Sequence, residues 1–306
     1  AAKRIKPITV TFIAGCSGLV LLCFYSIWMG ANFSSEGLFW GVLGGIASAF
    51  GIACLYASLA LGPISIVSPL GAVISAIVPM VVGFAQGDRF SALGFVALGV
   101  ILVAVVLVGF VPGDDVRLPS VRAIWFSVGA GVGIGFVMIA MDAFPKDSGL
   151  AALITLRTVA ITLLGSFVLF SYFRSRRSGE NSGEREPVST KWWLLVSATG
   201  FLDASANVTF LLASRVGSLS VVSVLTALYP LGTIILARIF LKEKIARTQQ
   251  LGILLAIAAS AVLTAESRGR SDISAAPNGV AMIEGCDEEA VRDGGVEDFA
   301  GWFADG

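Results

Sequence analysis

Nine runs in this chain are too long and too apolar for a water-soluble domain: residues 7–30, 37–61, 64–85, 92–111, 121–143, 150–173, 192–213, 219–241 and 248–265. A helix crosses a bilayer with about 20 mostly apolar residues. Lipid offers the backbone no hydrogen bonds, so only helices and closed barrels span it. Barrel strands alternate apolar and polar residues, and these runs do not, which leaves helices. Composition agrees: 56% of the residues are hydrophobic and 14% charged, where a soluble domain carries about 25% charged. The connections are mostly short and rich in Gly, Pro and Ser. The expectation is an all-α polytopic protein whose first partner is the lipid bilayer.

One passage is spelled twice. Residues 45–72 set above residues 200–227 without a gap match at Gly45/Gly200, Ala49/Ala204, Gly62/Gly217, Ser65/Ser220, Val67/Val222, Ser68/Ser223, Leu70/Leu225 and Ala72/Ala227. At the same offset Asp88-Arg89 falls on Glu243-Lys244, an acid and then a base closing each passage. Duplicated halves are a common construction of secondary transporters, with the substrate path at the repeat interface.

The second passage carries Gly200, Asp203, Asn207, the run 213–217, Leu228-Tyr229-Pro230, Arg238 and Glu243; the first carries Tyr56, Gly62, Ser68-Pro69, Val78-Pro79 and Gly87-Asp88. These residues make the duplicated unit resemble the EamA repeat of the drug/metabolite transporter superfamily, over about residues 1–266. The resemblance implies ten helices in two inverted five-helix halves. Four runs precede Pro112 and five follow it, and the four align with the last four of the second half. The expected organisation is therefore a first repeat at 1–112 lacking its opening helix, a second repeat at 113–266, and a tail at 267–306. Ten acids from Glu266 onward against Arg268, Arg270 and Arg292 make that tail read as solvated and disordered.

Asp203 is the first candidate for chemistry. It falls mid-run, where a carboxylate costs about 2.5–3.5 kcal/mol on insertion scales, and such residues usually face the bundle interior or a wet cavity. Asn207 shares its helix face. The matched positions in the other half are Ser48 and Ile52, so the polar pair belongs to one half only. Arg157, a third of the way along its run, is suited to three tasks: snorkelling to the interface, neutralising Asp203 across the bundle, or holding an anionic substrate. Arg238, a turn from Lys242, reads as an interfacial anchor, and Asp142 as a solvated span edge. Tyr229 completes the substrate or coupling-ion set: Asp203, Asn207, Arg157, Ser48 and Tyr229.

Pro69, Pro79 and Pro230 lie inside runs, where each removes a helix hydrogen bond, and are hinge or kink candidates. Gly129, Gly131, Gly133 and Gly135 lack the spacing of a dinucleotide loop. On a helix they form two overlapping GxxxG pairs that permit close backbone contact.

Other function classes are disfavoured. Gly15, Ser17 and Gly18 resemble an intramembrane serine-protease motif, but the chain contains no histidine to activate the hydroxyl. The four cysteines form no CxxC pair, and no metal site, cofactor, nucleic-acid partner or enzymatic activity is expected. The expected function is a secondary carrier, exporting small metabolites, amino-acid-like compounds or drugs across the cytoplasmic membrane. The runs 37–61, 64–85, 192–213 and 219–241 would line its path, and a homodimer stays open. The alternatives are a channel-like magnesium pathway, which would want several carboxylates, and a non-transporting scaffold. Loop charge places the loop 174–191 in the cytoplasm by the positive-inside rule, whereas the resemblance implies the reverse orientation.

Overall fold

The computed structural model describes residues 7–109, 119–177, 190–236, 239 and 246–274. The tail residues 275–306, Pro112 at the expected repeat junction, Arg238, and the pair Glu243-Lys244 lie outside the described residues. The chain divides into two units, Ala1–Ser267 and Arg268–Gly306.

Among the described residues ten α-helices follow one another: α1 (Pro7–Met29), α2 (Ser35–Leu61), α3 (Ile64–Ala85), α4 (Ala92–Gly109), α5 (Val121–Asp142), α6 (Ala151–Arg177), α7 (Thr190–Val216), α8 (Leu219–Thr226), α9 (Tyr229–Leu236) and α10 (Arg247–Ser274). Seven of them, α1 to α7, are long and apolar enough to cross a membrane, and the apolar part of α10 is the shorter Arg247–Leu263. The protein is a multi-pass all-α membrane protein. Its large apolar side chains sit outside as well as inside: Trp28 and Val216 are among the most exposed.

Serines start several helices. Ser34, Ser91, Ser120 and Ser218 accept from the backbone N–H of Gly37, Gly94, Ala123 and Val221, each three residues on, which satisfies a donor that has no partner inside the helix.

The run 219–241 is not one helix, which corrects the sequence expectation. α8 stops at Thr226, and Pro230 is the second residue of α9. Thr226 is the residue whose carbonyl an N–H at position 230 would have bonded, and proline offers none. Pro69 and Pro79, by contrast, are carried within a continuous α3. Both are buried there, with neighbouring helices packed against them: a Cβ at Gly109 would stand 2.5 Å from Pro69 Cγ, and one at Gly135 3.1 Å from Pro79 Cδ.

α5 is wedged between α2 and α3. A Cβ on Gly133 would stand 2.7 Å from Gly51 Cα, and one on Gly129 3.1 Å from Cys54 Sγ, both on α2. A Cβ on Gly131 would stand 2.6 Å from Ile74 Cβ, and one on Gly135 3.0 Å from Val78 Cβ, both on α3. Each GxxxG pair therefore faces its own neighbour. Ser127 adds a hydrogen bond from its hydroxyl to Val67 O at 2.6 Å. α6 lies against α1 and α2, α7 against α1, and α8 against α3.

Two apolar cores result. One gathers Leu22, Met141, Phe144, Leu150, Leu153, Leu156, Leu211 and Leu219. The other joins α3, α4, α8 and α10 through Ala76, Leu98, Ile101, Val105, Val224 and Leu263. At the end of the bundle where α1 meets α2 and α5 meets α6, the connections are tied together. Asn32 N donates to Ser148 O and Leu150 N to Gly30 O, both at 3.0 Å. Gly149 adopts φ +56° beside the Gly30 carbonyl, a conformation and a proximity that exclude a side chain. Arg215, in the last turn of α7, donates from Nη2 to Gly149 O at 3.2 Å.

Candidate functional site

α7 carries a polar stripe on an apolar helix. Thr199, Asp203 and Asn207 recur every four residues and so share one face, while Ala204 and Val208, turned away from that face, are buried. The stripe faces a cavity of about 360 Å³. α6 contributes Arg157 to the same cavity, α2 contributes Ser48 and Ile52, and α1 contributes Thr11. The remaining wall is apolar, with Val10, Ile134, Val137, Leu153 and Leu156.

Glycines set the width of this cavity, because the helices around it cross closely. A Cβ on Gly45 of α2 would stand 2.6 Å from Val159 Cβ on α6. One on Gly200 of α7 would run into the Ala14 carbonyl and the Ser17 hydroxyl of α1. These two glycines are the first matched pair of the duplicated passage. Further matches make like contacts: Gly62 N donates to Ser58 O at 3.0 Å and Gly217 N to Ala213 O at 2.8 Å. The glycine of each pair also lies against the matched valine, Val67 in one case and Val222 in the other.

The charges meet across the cavity. Arg157 Nη2 donates to Asp203 Oδ2 as an ion pair, with the arginine side chain 15% exposed and the aspartate 56% exposed. The buried Arg157 Nε has no hydrogen-bond partner among the described residues. Asn207 Nδ2 donates to Asp203 O at 2.7 Å, which spends one donor on its own helix and leaves its carbonyl oxygen without a partner from that bond. Thr11 is bonded to the Tyr56 hydroxyl, so α1 and α2 are joined beside the cavity. A polar donor set of this kind, with one guanidinium and one carboxylate on apolar walls, is a binding chemistry.

Four of the five candidates from the sequence, Asp203, Asn207, Arg157 and Ser48, therefore line one cavity. Tyr229 does not line it: it lies on α9 and is more than half exposed. Of the runs expected to line the path, α2 and α7 do so here, whereas α3 and α8 do not, and α1, α5 and α6 take part instead. Thr199 and Thr11 were missed. The first was legible as the residue four before Asp203; nothing local distinguishes the second. Among the described residues no cluster of three or more His, Cys, Asp or Glu could hold a metal ion.

A search of curated proteins returns no match. A solved structure described only as "Crystal structure of protein" is similar with a TM-score of 0.71, over 87% of this chain and 90% of its own, at 13% identity. That likeness shows the fold alone. Residues 121–265 match the model of the EamA-like transporter family. The matched stretch lies in the expected second repeat, and the family it matches is part of the drug/metabolite transporter superfamily.

Proposed function

We propose that the protein is a secondary carrier that exports small amino-acid-like solutes across the cytoplasmic membrane by alternating access, with the Arg157–Asp203 cavity as the solute site. The observation that carries this reading is the ion pair. A guanidinium with a spare buried donor attracts a carboxylate, and the half-exposed Asp203 carboxylate is available to a solute ammonium. A zwitterion would replace the internal pair by two intermolecular ones, and the apolar wall would take its side chain. Charge neutrality of the cavity is then preserved with and without solute, which limits the desolvation cost of the switch.

The duplicated passage supports a two-halved mechanism, with the halves taken as 1–112 and 113–266. Five steps along the chain separate α2 from α7, so if every helix crosses, the two matched helices run in opposite directions. The cavity lies between their matched positions, Ser48 and Ile52 on one side and Asp203 and Asn207 on the other. The channel-like magnesium pathway is disfavoured because Asp203 is the one carboxylate lining this cavity among the described residues, and it is already paired.

The test is counterflow in proteoliposomes, using radiolabelled neutral amino acids beside matched amines and monocarboxylates. The carrier reading expects saturable uptake that is accelerated by unlabelled zwitterion on the opposite side. Ohmic currents without counterflow would sink it, and so would equal flux of all three solute classes.

A further inference from the structure

A second carboxylate is held in an engineered-looking position that the cavity does not use. α3 ends with the backbone of Gly87 at φ +107°, Gly87 N donating to Phe84 O at 3.1 Å and Asp88 N donating to Gly83 O at 2.9 Å. This glycine-terminated turn fixes Asp88 in space. Asp88 Oδ2 then accepts from the backbone N–H of Ser220, at 3.1 Å, in the first turn of α8. Ser220 returns its own hydroxyl to Met80 O on α3, also at 3.1 Å. Gly83 makes the approach possible: a Cβ there would collide with the Ser220 hydroxyl. The N-terminus of α8 has its orphan donors shared out, Val221 to the local cap Ser218 and Ser220 to Asp88, which lies 132 residues away in sequence.

What stands beside this contact gives it meaning. Leu219, the residue before Ser220, belongs to the apolar core that also contains Phe144 and Leu150 from the tied connections. Two further members of that core, Leu153 and Leu156, line the cavity. The core is thus a plug between the cavity and the end of the bundle where α3 meets α8. Asp142, at the end of α5, stands within electrostatic reach of Asp88. The Asp88 carboxylate is held by a backbone N–H in the first turn of α8, where a negative group is favoured.

We propose that Asp88 is an electrostatic latch that keeps this end of the cavity shut by holding the N-terminus of α8, and with it Leu219, in the plug. Release of the Asp88–Ser220 bond frees α8 to swing Leu219 out and opens the cavity to that side. The latch rests on the reading that the two ends of the cavity open in turn.

The test reads accessibility without any solute. Leu150→Cys, buried in the plug, is placed in a chain with Cys16, Cys23, Cys54 and Cys286 replaced by alanine, and reconstituted in vesicles of known orientation. A membrane-impermeant maleimide is applied from each side in separate experiments. Asp88→Asn keeps an acceptor for Ser220 and removes the charge, and it is expected to raise labelling from the α3–α8 side about tenfold, a change on the scale of a helix-terminus charge acting on a two-state equilibrium. Asp88→Ala should raise it further, and labelling from the opposite side should not rise in either variant. Unchanged labelling, or an equal rise on both sides, would overturn the latch. So would failure of the isosteric Asp88→Asn to fold, since a latch shifts the balance between two folded states. A one-sided rise in a protein that carries none of the tested solutes keeps the latch and removes the carrier reading; counterflow without a one-sided rise does the opposite.

Discussion

An ion pair inside two spanning helices survives only when something uses it or satisfies it, and at the residue scale Arg157 and Asp203 offer a way to tell which. Removing one partner of a fully buried pair costs about 3–5 kcal/mol because a charge is left unpaired. Asp203 is more than half exposed, so that penalty applies only in part. Asp203→Asn, which keeps the shape and loses the charge, is expected to abolish counterflow while shifting the thermal midpoint by only a few degrees, the size of about 1 kcal/mol. A reconstituted flux assay across pH 6 to 8 beside a thermal scan of the same preparation checks this. Wild-type flux in the variant would end the solute-site reading, and a stable but inactive protein would support it. The cavity residues were legible from the sequence where cost or spacing marked them. Asp203 stands out by its charge in an apolar run, Asn207 by its place four residues on, and Ser48 by its match to Asp203. Tyr229 lies on α9, beyond the break at Pro230, and is not among the residues lining this cavity. Thr11 carried no signal, since a threonine in an apolar helix usually bonds its own backbone, as Thr155, Thr158 and Thr162 do here.

At the scale of elements, most run boundaries were close to the helices because lipid imposes length and apolarity together. The exception is α10, which continues to Ser274 through residues that the sequence placed in the disordered tail. The one internal error, the break between α8 and α9, has a local cause: the apolar run continues through it, and only Pro230 signals that the hydrogen bond to Thr226 is missing. Two other prolines inside α3 do not break their helix, so proline alone does not decide the matter. The neighbours do: where α5 and α4 press against α3, the proline-bearing helix stays continuous, and no sequence window contains that information. The glycines of α5 give a sharper test of packing. Leucine at Gly131 or Gly133 would drive a side chain into Ile74 or into the Gly51 backbone, whereas Gly99 on α4 has nothing within 4 Å of an added Cβ. Overpacking costs typically about 1–3 kcal/mol, and more where backbone is the obstacle. Gly131→Leu and Gly133→Leu are expected to lower the detergent-solubilised thermal midpoint and folded yield strongly, while Gly99→Leu leaves both near wild type. Equal behaviour of the three variants would contradict the wedge of α5 between α2 and α3.

For the whole molecule, what must remain folded and what can be removed follow from where the two cores lie. Ala256, Ala259 and Leu263 of α10 are buried, and Ala259 and Leu263 belong to the core shared with α3, α4 and α8. In lipid such a helix is retained by close packing rather than by a hydrophobic driving force, so losing its contacts is not repaid by the bilayer. Beyond Ser267 the chain falls in the separate unit Arg268–Gly306, and its sequence is acidic and poor in large apolar residues. Deletion of residues 267–306 is therefore expected to leave membrane yield, thermal midpoint and counterflow unchanged. Deletion of residues 255–306, which removes Ala256, Ala259 and Leu263 as well, should cost most of the folded yield. Size-exclusion profiles and thermal scans of the two truncations, prepared side by side, check both. A large loss from the shorter deletion would mean that the acidic segment packs on the bundle or serves its insertion. Tolerance of the longer one would mean that α3, α4 and α8 hold together without α10, which the burial of Leu263 argues against.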